Sequence, residues 1–359
     1  MATGYYYEPQ RSQGNSVSPR YTNLRYINEG AYGMVCSAVD NHTCRRVAIK
    51  KVSPFLHGSS GAKALREIMI LSRFKHDNII SILDIVAAPT QRAIQDIHIV
   101  LPLMESDLRK LLHSRRLSSE HVRCFLYQIL RGLKYIHSAN IIHFDMKPGN
   151  VLVNSDCYVK ICDFGLARII TSKLENGGLS QYAVTRGYRA PEVMLRCKSF
   201  VSKAIDMWSV GCILAEMISN RPLFAGRHYL DELNNIINVI GSPSPEDMLT
   251  VTREDSKRHI QSLARRPKKP LAQLFPYAEP VALDLLDRMI TFSSSKRITV
   301  EDALEHRFLH RYHDEANEPV ALVPFGPESE VDELPPQEIK KLIYKETAKY
   351  STSYFDPPY

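Results

Sequence analysis

The chain has 359 residues, 44% of them hydrophobic and 24% charged, with a formal charge of +7 at pH 7. This is the balance of a folded globular chain of about two domains rather than a disordered or fibrous one. The positive charge is scattered, and its densest run, Arg265-Arg266-Pro267-Lys268-Lys269, lacks interleaved aromatics, so it reads as a solvated loop or a contact for an acidic ligand, with no direct nucleic-acid grip.

Residues 1–20 are polar, rich in Gln, Ser and Gly, and are expected to form a disordered tail. They lack the apolar core of a signal peptide and the second-position glycine of a myristoylation site. From Tyr21 the pattern becomes strand-like, and Val47-Ala48-Ile49-Lys50-Lys51-Val52 is rich in β-branched residues. A helix follows with Leu65, Ile68, Met69 and Ser72 on one face, which places Arg66 and Glu67 beside that stripe. Residues 97–101 form another strand, ending at Pro102.

Beyond this point helices dominate. Over 124–138, Phe125, Ile129, Gly132, Leu133 and Ile136 recur at core spacing. Short strands are expected at 151–153 and 159–162. The stretch 204–219, around the only tryptophan, Trp208, is apolar nearly all round and reads as a buried central helix. Residues 241–272 resemble a surface insertion, and a last helix is expected over 336–349. No internal repeat is evident, and no apolar run is long enough to span a bilayer, so no membrane partner is expected. The seven cysteines are odd in number and include no C-x-x-C pair, which points to reduced thiols in a cytosolic or nuclear compartment. Strand-rich first and helix-rich second, joined by a short Pro-containing segment, implies two lobes with a cleft between them.

Three motifs stand in order along the chain: His143-Phe144-Asp145-Met146-Lys147-Pro148-Gly149-Asn150, Asp163-Phe164-Gly165 and Ala190-Pro191-Glu192. Each supplies a group that phosphoryl transfer from ATP to a hydroxyl requires. Asp145 suits acceptance of the hydroxyl proton, Lys147 neutralisation of the phosphoryl in flight, and Asn150 and Asp163 retention of Mg2+. Upstream, Asn28-Glu29-Gly30-Ala31-Tyr32-Gly33-Met34-Val35 has the outline of a glycine-rich phosphate loop with Asn28 at its first glycine position. Alone the run is a weak signal that a plain hairpin also explains. Asn tolerates a left-handed conformation better than other side chains, so the loop is expected to survive the change. Lys50 follows with a role at the α- and β-phosphates, held by Glu67.

With these residues the chain resembles the mitogen-activated protein (MAP) kinase family, nearest the extracellular-signal-regulated subgroup, over residues 21–350. Besides the motifs, Tyr21-Thr22-Asn23-Leu24, residues 128–138, Leu214-Ala215-Glu216-Met217 and Gly241-Ser242-Pro243-Ser244 carry the likeness. The resemblance implies an α+β, bilobal protein kinase fold, with a β-rich small lobe and hinge over 21–104 and a mostly helical large lobe over 105–313. It makes 241–272 the family's insert and 314–359 an extension that packs back on the small lobe. It implies a serine/threonine kinase using ATP and Mg2+, proline-directed, monomeric, and cytoplasmic and nuclear. ATP would be bound by Ile27, Asn28, Glu29, Gly30, Ala31, Tyr32, Gly33, Met34, Val35, Ala48, Lys50, Glu67, Leu101, Leu103, Met104, Asp107, Lys110, Leu152 and Cys162. Cys162 is read either as a reactive thiol beside the nucleotide or as an inert buried one.

The family's activation lip falls on Ser180-Gln181-Tyr182, implying phosphorylation of Ser180 and Tyr182 by an upstream dual-specificity MAP kinase kinase. The phosphates would pair with Arg66 and Arg168, and with Arg186 and Arg189. Phe144 stands where the resemblance calls for a further arginine, and loss of one charge-assisted partner removes roughly 1.5–3 kcal/mol. Gly187 replaces a tryptophan at the pocket that accepts Pro after the target residue. Asp314, Glu315 and Glu318 resemble a docking patch for basic motifs on substrates and phosphatases, with Asn317 in place of a further acid, although an acidic turn is also often only solvated. Met194, Leu195, Tyr229, Leu230 and Leu233 fit a second docking site or plain packing. The rival to an active enzyme is a pseudokinase-like scaffold, suggested by Asn28, Phe144, Gly187 and Ser180-Gln181-Tyr182. Against it, Lys50, Glu67, Asp145, Lys147, Asn150 and Asp163 are all present.

Overall fold

A computed structural model describes residues 18–30, 33–55, 60–86, 90–171, 185–195, 197, 201–226 and 228–351. Ala31, Tyr32, Ser180, Gln181 and Tyr182 lie outside the described residues, as does most of the tail expected over 1–20. In the small lobe, β1 (Tyr21–Gly30), β2 (Gly33–Asp40), β3 (Arg45–Val52), β4 (Asp84–Val86) and β5 (Ile97–Pro102) form an antiparallel sheet in the order β1-β2-β3-β5-β4. The alternation along β3 decides what the sheet offers to each side. Val47, Ile49 and Val52 are buried, and the intervening Ala48 and Lys50 face the space between the lobes.

Asn28 pairs with Val35 within β1 and β2 and is not left-handed; its side-chain oxygen accepts the Glu29 N–H at 2.9 Å. The missing glycine is therefore absorbed by extended pairing, contrary to the left-handed accommodation expected for it. Gly33 is the position that needs a glycine. It has φ +141°, and a Cβ there would meet the Lys51 carbonyl oxygen at 1.8 Å.

Helix α1 (Ser60–Arg73) packs Leu65 and Ile68 under the sheet, so that Glu67 points toward Lys50. In the large lobe, α2 (Leu108–Ser114) starts at an Asp107 cap, and α3 (Ser119–Ser138) at a Ser118 cap. The helix Ala204–Ser219 is buried without interruption from Ile205 to Met217, and Trp208 stacks on Phe224 at 5.4 Å. Short strands β6 (Ser106–Asp107), β7 (Ile141–Ile142), β8 (Val151–Val153), β9 (Val159–Ile161) and β10 (Arg168–Ile169) pair as β6-β8-β9 and β7-β10. They deliver the loops that carry the three motifs to the floor of the interlobe space. β9 stops one residue short of the strand expected over 159–162, which leaves Cys162 on the loop.

The segment 241–272 holds three helices, Pro245–Thr250, Glu254–Ser262 and Leu271–Leu274, tied to the large lobe through buried Val251, Ile260 and Leu271. The C-terminal stretch runs back across both lobes. Phe325 N–H donates to the Ala139 carbonyl at 3.0 Å, Arg73 lies over the Phe325 ring, and Ile339 and Ile343 of the helix Pro336–Ser351 enter the small-lobe core beside Leu65 and Ile68. Gly61 permits this approach, since a Cβ would stand 3.2 Å from the Ile339 side chain.

Candidate active site

The interlobe space is a cleft of about 270 Å³. Ile27, Asn28, Gly33, Val35, Ala48, Lys50, Glu67, Leu101, Leu103, Met104, Asp107, Lys110, Leu152 and Cys162 line it, together with Asn150 and Asp163. The structure thus gathers most of the residues expected at a nucleotide. Glu29 and Met34 pair with each other across the hairpin and do not line the cleft, and Gly30 pairs with Gly33 at its tip. Ile80, Pro102 and Gly149 also line it; periodicity marks the first two only as strand-edge or core residues, so no signal singled them out.

At its inner end a chain of charge crosses the lobes. The Lys50 ammonium donates to both Glu67 oxygens at 2.7 and 2.8 Å and reaches Asp163 at 3.5 Å. Burial opposes the ammonium, but the carboxylates of Glu67 and Asp163 outweigh it and hold Lys50 above the usual lysine range. Burial likewise pushes Asp163 up, while Lys50, His143 and Lys147 pull it below its ordinary value, so it stays ionised. The Cys162 thiol is driven up by burial and then by the neighbouring Asp163 charge. It is held as a thiol, which favours the inert reading over the reactive one.

Asp163 has φ +67° and ψ +73°, a left-handed backbone that is sparsely used by residues with a Cβ. The turn Phe164–Leu166 that follows buries Phe164 edge-on to Phe74 at 5.8 Å and against the His143 ring at 4.9 Å. The aromatic contact fixes where the carboxylate before it points.

Opposite, Asp145 is 2% exposed and gathers three partners. Lys147 donates to it at 2.6 Å, Asn150 donates to its side chain at 3.1 Å and to its backbone carbonyl at 2.8 Å, and the Thr185 hydroxyl donates at 2.5 Å. Lys147 also donates to Thr185 at 2.9 Å. Thr185 was not singled out in the sequence because a lone threonine between loops carries no pattern. Neither was Asp206, which is fully buried and accepts the N–H groups of His143 and Phe144 at 2.8 and 2.9 Å, with the His137 ring at 2.9 Å. Phe144 sits at φ +67° with its ring 1% exposed in the large-lobe core, so no cation occupies that position.

The other expected residues divide. Arg66 donates to the Gly165 carbonyl at 2.9 Å and pairs with Asp332 and Glu330, and Arg168 pairs with the second oxygen of Asp332 at 3.0 Å. Arg189 is buried, and it and Arg186 lie near enough to Glu232 to oppose the upward push of burial on that carboxyl. Gly187 takes φ +85° and donates its N–H to Glu232 at 2.5 Å. Glu192 of the third motif forms a buried fork with Arg297 at 2.6 and 2.9 Å. Met194, Leu195 and Leu233 are core residues, as the packing reading holds, whereas Tyr229 is exposed.

The acidic patch is smaller than expected. Glu318 is turned inward, its side chain fully buried between Lys134 at 3.0 Å and His313 at 2.9 Å, so it is a structural ion-pair residue and not part of a docking surface. Asp314 and Glu315 remain exposed, Asp314 capping the turn Glu315–Asn317.

Asp163 and Asn150 present the hard oxygen donors that suit a magnesium ion shared with phosphates. Asp163 is ionised, and the amide nitrogen of Asn150 is committed to Asp145, which leaves its carbonyl oxygen for a cation. The donor set fits the ion.

Comparison with known proteins agrees with this geometry. The protein kinase domain family matches residues 21–309. Mitogen-activated protein kinase mpk-1 of Caenorhabditis elegans is 55% identical over 331 residues, which is 92% of this chain and 74% of that protein. Extracellular signal-regulated kinase 1 of Dictyostelium discoideum is 45% identical over 96% of this chain and 65% of its own length. Mitogen-activated protein kinase 3 of Arabidopsis thaliana is 45% identical over 91% of this chain and 88% of its own.

Asp206 supplies the acceptor for two buried loop N–H groups, each worth about 1–3 kcal/mol when orphaned. Asp206→Ala is therefore expected to lower stability by roughly 2–6 kcal/mol on that basis and to reduce turnover through Asp145. Denaturant unfolding and steady-state kinetics check this; an unchanged unfolding midpoint would show the network to be dispensable.

Proposed function

The chain belongs to the protein kinase domain family and is a MAP-kinase-like protein serine/threonine kinase, and from that premise we propose how its residues divide the work. The observation that carries the proposal is the convergence of six groups on one cleft: Lys50, Glu67, Asp163 and Asn150 line it, and Asp145 and Lys147 join them through hydrogen bonds to Asn150 and to each other. Protein kinases use ATP and Mg2+. Leu101, Leu103 and Met104 form the apolar seat for adenine, Asp107 meets the ribose, and Lys50 binds the α- and β-phosphates while Glu67 holds its ammonium in place. Asp163 and Asn150 would hold the magnesium ion, which when bound would supply positive charge to offset the negative charge of the phosphates.

Asp145 takes the proton of a serine or threonine hydroxyl as its oxygen bonds to the γ-phosphorus of ATP and the bond from that phosphorus to the β,γ-bridging oxygen breaks, releasing ADP. Lys147, already 2.6 Å from Asp145, stabilises the charge on the transferring group, and Thr185 keeps the Asp145 carboxylate oriented. Proline after the target residue is the preferred context, phosphorylation of Ser180 and Tyr182 by an upstream kinase is the switch, and Asp314 and Glu315 receive basic segments of substrates and phosphatases. The protein acts as a monomer in cytoplasm and nucleus; its seven free cysteines suit a reducing compartment.

Lys50→Met is expected to abolish transfer, by several orders of magnitude where such groups act as a unit, with the fold retained. Asp145→Asn should lower turnover far more than nucleotide affinity. Turnover on a Ser-Pro peptide and titration with a nucleotide analogue separate the two. A Lys50→Met enzyme retaining more than about a few per cent of the wild-type rate would overturn the nucleotide-site assignment.

Docking is expected to depend on charge. Asp314→Lys should weaken a basic, leucine-containing peptide about two- to tenfold at low salt, in the range of surface ion pairs. Binding that ignores both salt and the reversal, measured by fluorescence anisotropy, would remove the acidic patch from the proposal.

A further inference from the structure

Three cations meet where α1 faces the turn after Asp163. Arg66 leaves α1 next to Glu67, Arg168 leaves β10, and Lys63 lies one turn back on α1. Arg66 is 3% exposed and Arg168 10%, so both guanidiniums are largely withdrawn from water and need an anion. The anion comes from the far end of the chain. Asp332 places Oδ1 on Arg66 and Oδ2 on Arg168, the latter at 3.0 Å, and Glu330 stands 3.8 Å from Arg66.

The Arg66 contact is a hydrogen-bonded ion pair, the Arg168 contact at Nε is an ion pair without hydrogen-bond geometry, and the Asp332 side chain that makes both is 40% exposed. A carboxylate has two oxygens, and each takes one guanidinium. Phe144, whose ring is buried and whose backbone N–H is held by Asp206, brings no further cation to the cluster. Arg168 is anchored on its own side by donating to the Leu166 and Ala167 carbonyls at 3.0 and 2.8 Å, and Arg66 by donating to the Gly165 carbonyl. Asp332 therefore ties α1 to the segment that begins at Asp163. Glu67, the next residue along α1 from Arg66, reaches Lys50 at 2.7 Å. The tie is reinforced from behind, because Val331 is buried in the small-lobe core with Ile339 and Ile343. Lys63 registers the local field: after burial, Arg168 and Arg66 pull its pKa down, while Asp163 and Asp332 push it back.

We propose that Asp332 is a positioning residue for phosphoryl transfer, a built-in anion that bridges Arg66 and Arg168 and so holds Glu67 on Lys50 without phosphate on the activation segment. The inference rests on the kinase reading of the cleft. It assigns to a carboxylate of the C-terminal extension the bracing that a phosphate on Ser180 would otherwise supply, so the unphosphorylated protein has a basal activity that depends on Asp332.

The test uses the full chain prepared without phosphate, as wild type, Asp332→Asn and Asp332→Glu, with Glu328→Gln, an exposed acid of the same extension, as control. Three quantities are read: turnover and KM on a Ser-Pro peptide, the dissociation constant of a Mg-bound ATP analogue, and hydrogen exchange of the amides in α1. Asp332→Asn is expected to lower turnover about tenfold or more, the scale of a lost charge-assisted pair, with the peptide KM little changed. It should also weaken the nucleotide analogue and speed exchange in α1. Asp332→Glu, which keeps the charge, should recover most of the loss, Glu328→Gln should match wild type, and phosphorylating Ser180 in Asp332→Asn should restore turnover. Unchanged or increased turnover in Asp332→Asn, or a loss that Asp332→Glu repairs no better than Asn, would overturn the proposal. If even the wild type phosphorylated on Ser180 and Tyr182 transfers no phosphate, the kinase reading fails instead. The bridge is then still decided by nucleotide affinity and α1 exchange, where no change from Asp332→Asn would refute it.

Discussion

One buried carboxylate governs the floor of the cleft. The loop from His143 to Lys147 follows β7 without a strand or helix to satisfy its backbone, and Asp206 supplies the acceptor for two of its N–H groups. That carboxylate is itself carried on a helix buried without interruption from Ile205 to Met217. With the backbone at His143 and Phe144 held, Asp145 can face Lys147, Asn150 and Thr185 in a low-dielectric setting where those contacts are strong. Phe144 tolerates φ +67° for the same reason: an otherwise unfavourable conformation is over-determined by the hydrogen bond at its N–H and by the burial of its ring.

The upper half of the cleft depends on a longer route. Glu67 meets Lys50 only where α1 is docked, and α1 is held on one face by the small-lobe core and on another by chain from beyond residue 325. Ile339 and Ile343 fill the core beside Leu65 and Ile68, while Arg66 is engaged by Gly165 and Asp332. From Val331 onward the extension thus packs as part of the small-lobe core, while its earlier stretch is tied to the large lobe at Ala139 and Lys134. Charge completes what apolar packing begins, since the pair of carboxylates on Lys50 keeps the ammonium protonated against burial.

The legible part of the molecule was whatever sits close together in sequence. The β-branched alternation of residues 47–52, the all-round apolar run of 204–219 and the spacing of Asp145, Lys147 and Asn150 are local patterns, and each maps onto the element expected. What the sequence did not reveal are long-range partners chosen by the tertiary fold. Asp206 lies some sixty residues from the loop it holds, Arg297 meets Glu192 from 105 residues away, and Asp332 meets Arg66 from 266. None belongs to a spacing pattern, because a charge can pair with any opposite charge brought beside it. The same limit explains Glu318. An acidic cluster before Pro319 reads as surface, yet Lys134 and His313 draw one of its members fully inside. Asn28 shows the converse, a departure from a motif that the local pairing of β1 with β2 makes harmless.

The central claim is that the six convergent groups form a working phosphoryl-transfer site despite the substitutions at positions 28, 144 and 187. The most direct measurement is incorporation of γ-labelled phosphate from ATP and Mg2+ into a Ser-Pro peptide by the purified chain, with the matching Ser-Ala peptide alongside. Stoichiometric, time-dependent labelling of the serine, stronger for the Ser-Pro peptide, is the result this account predicts. A protein that binds the nucleotide with magnesium yet labels neither peptide, whether or not Ser180 and Tyr182 are phosphorylated, would contradict it.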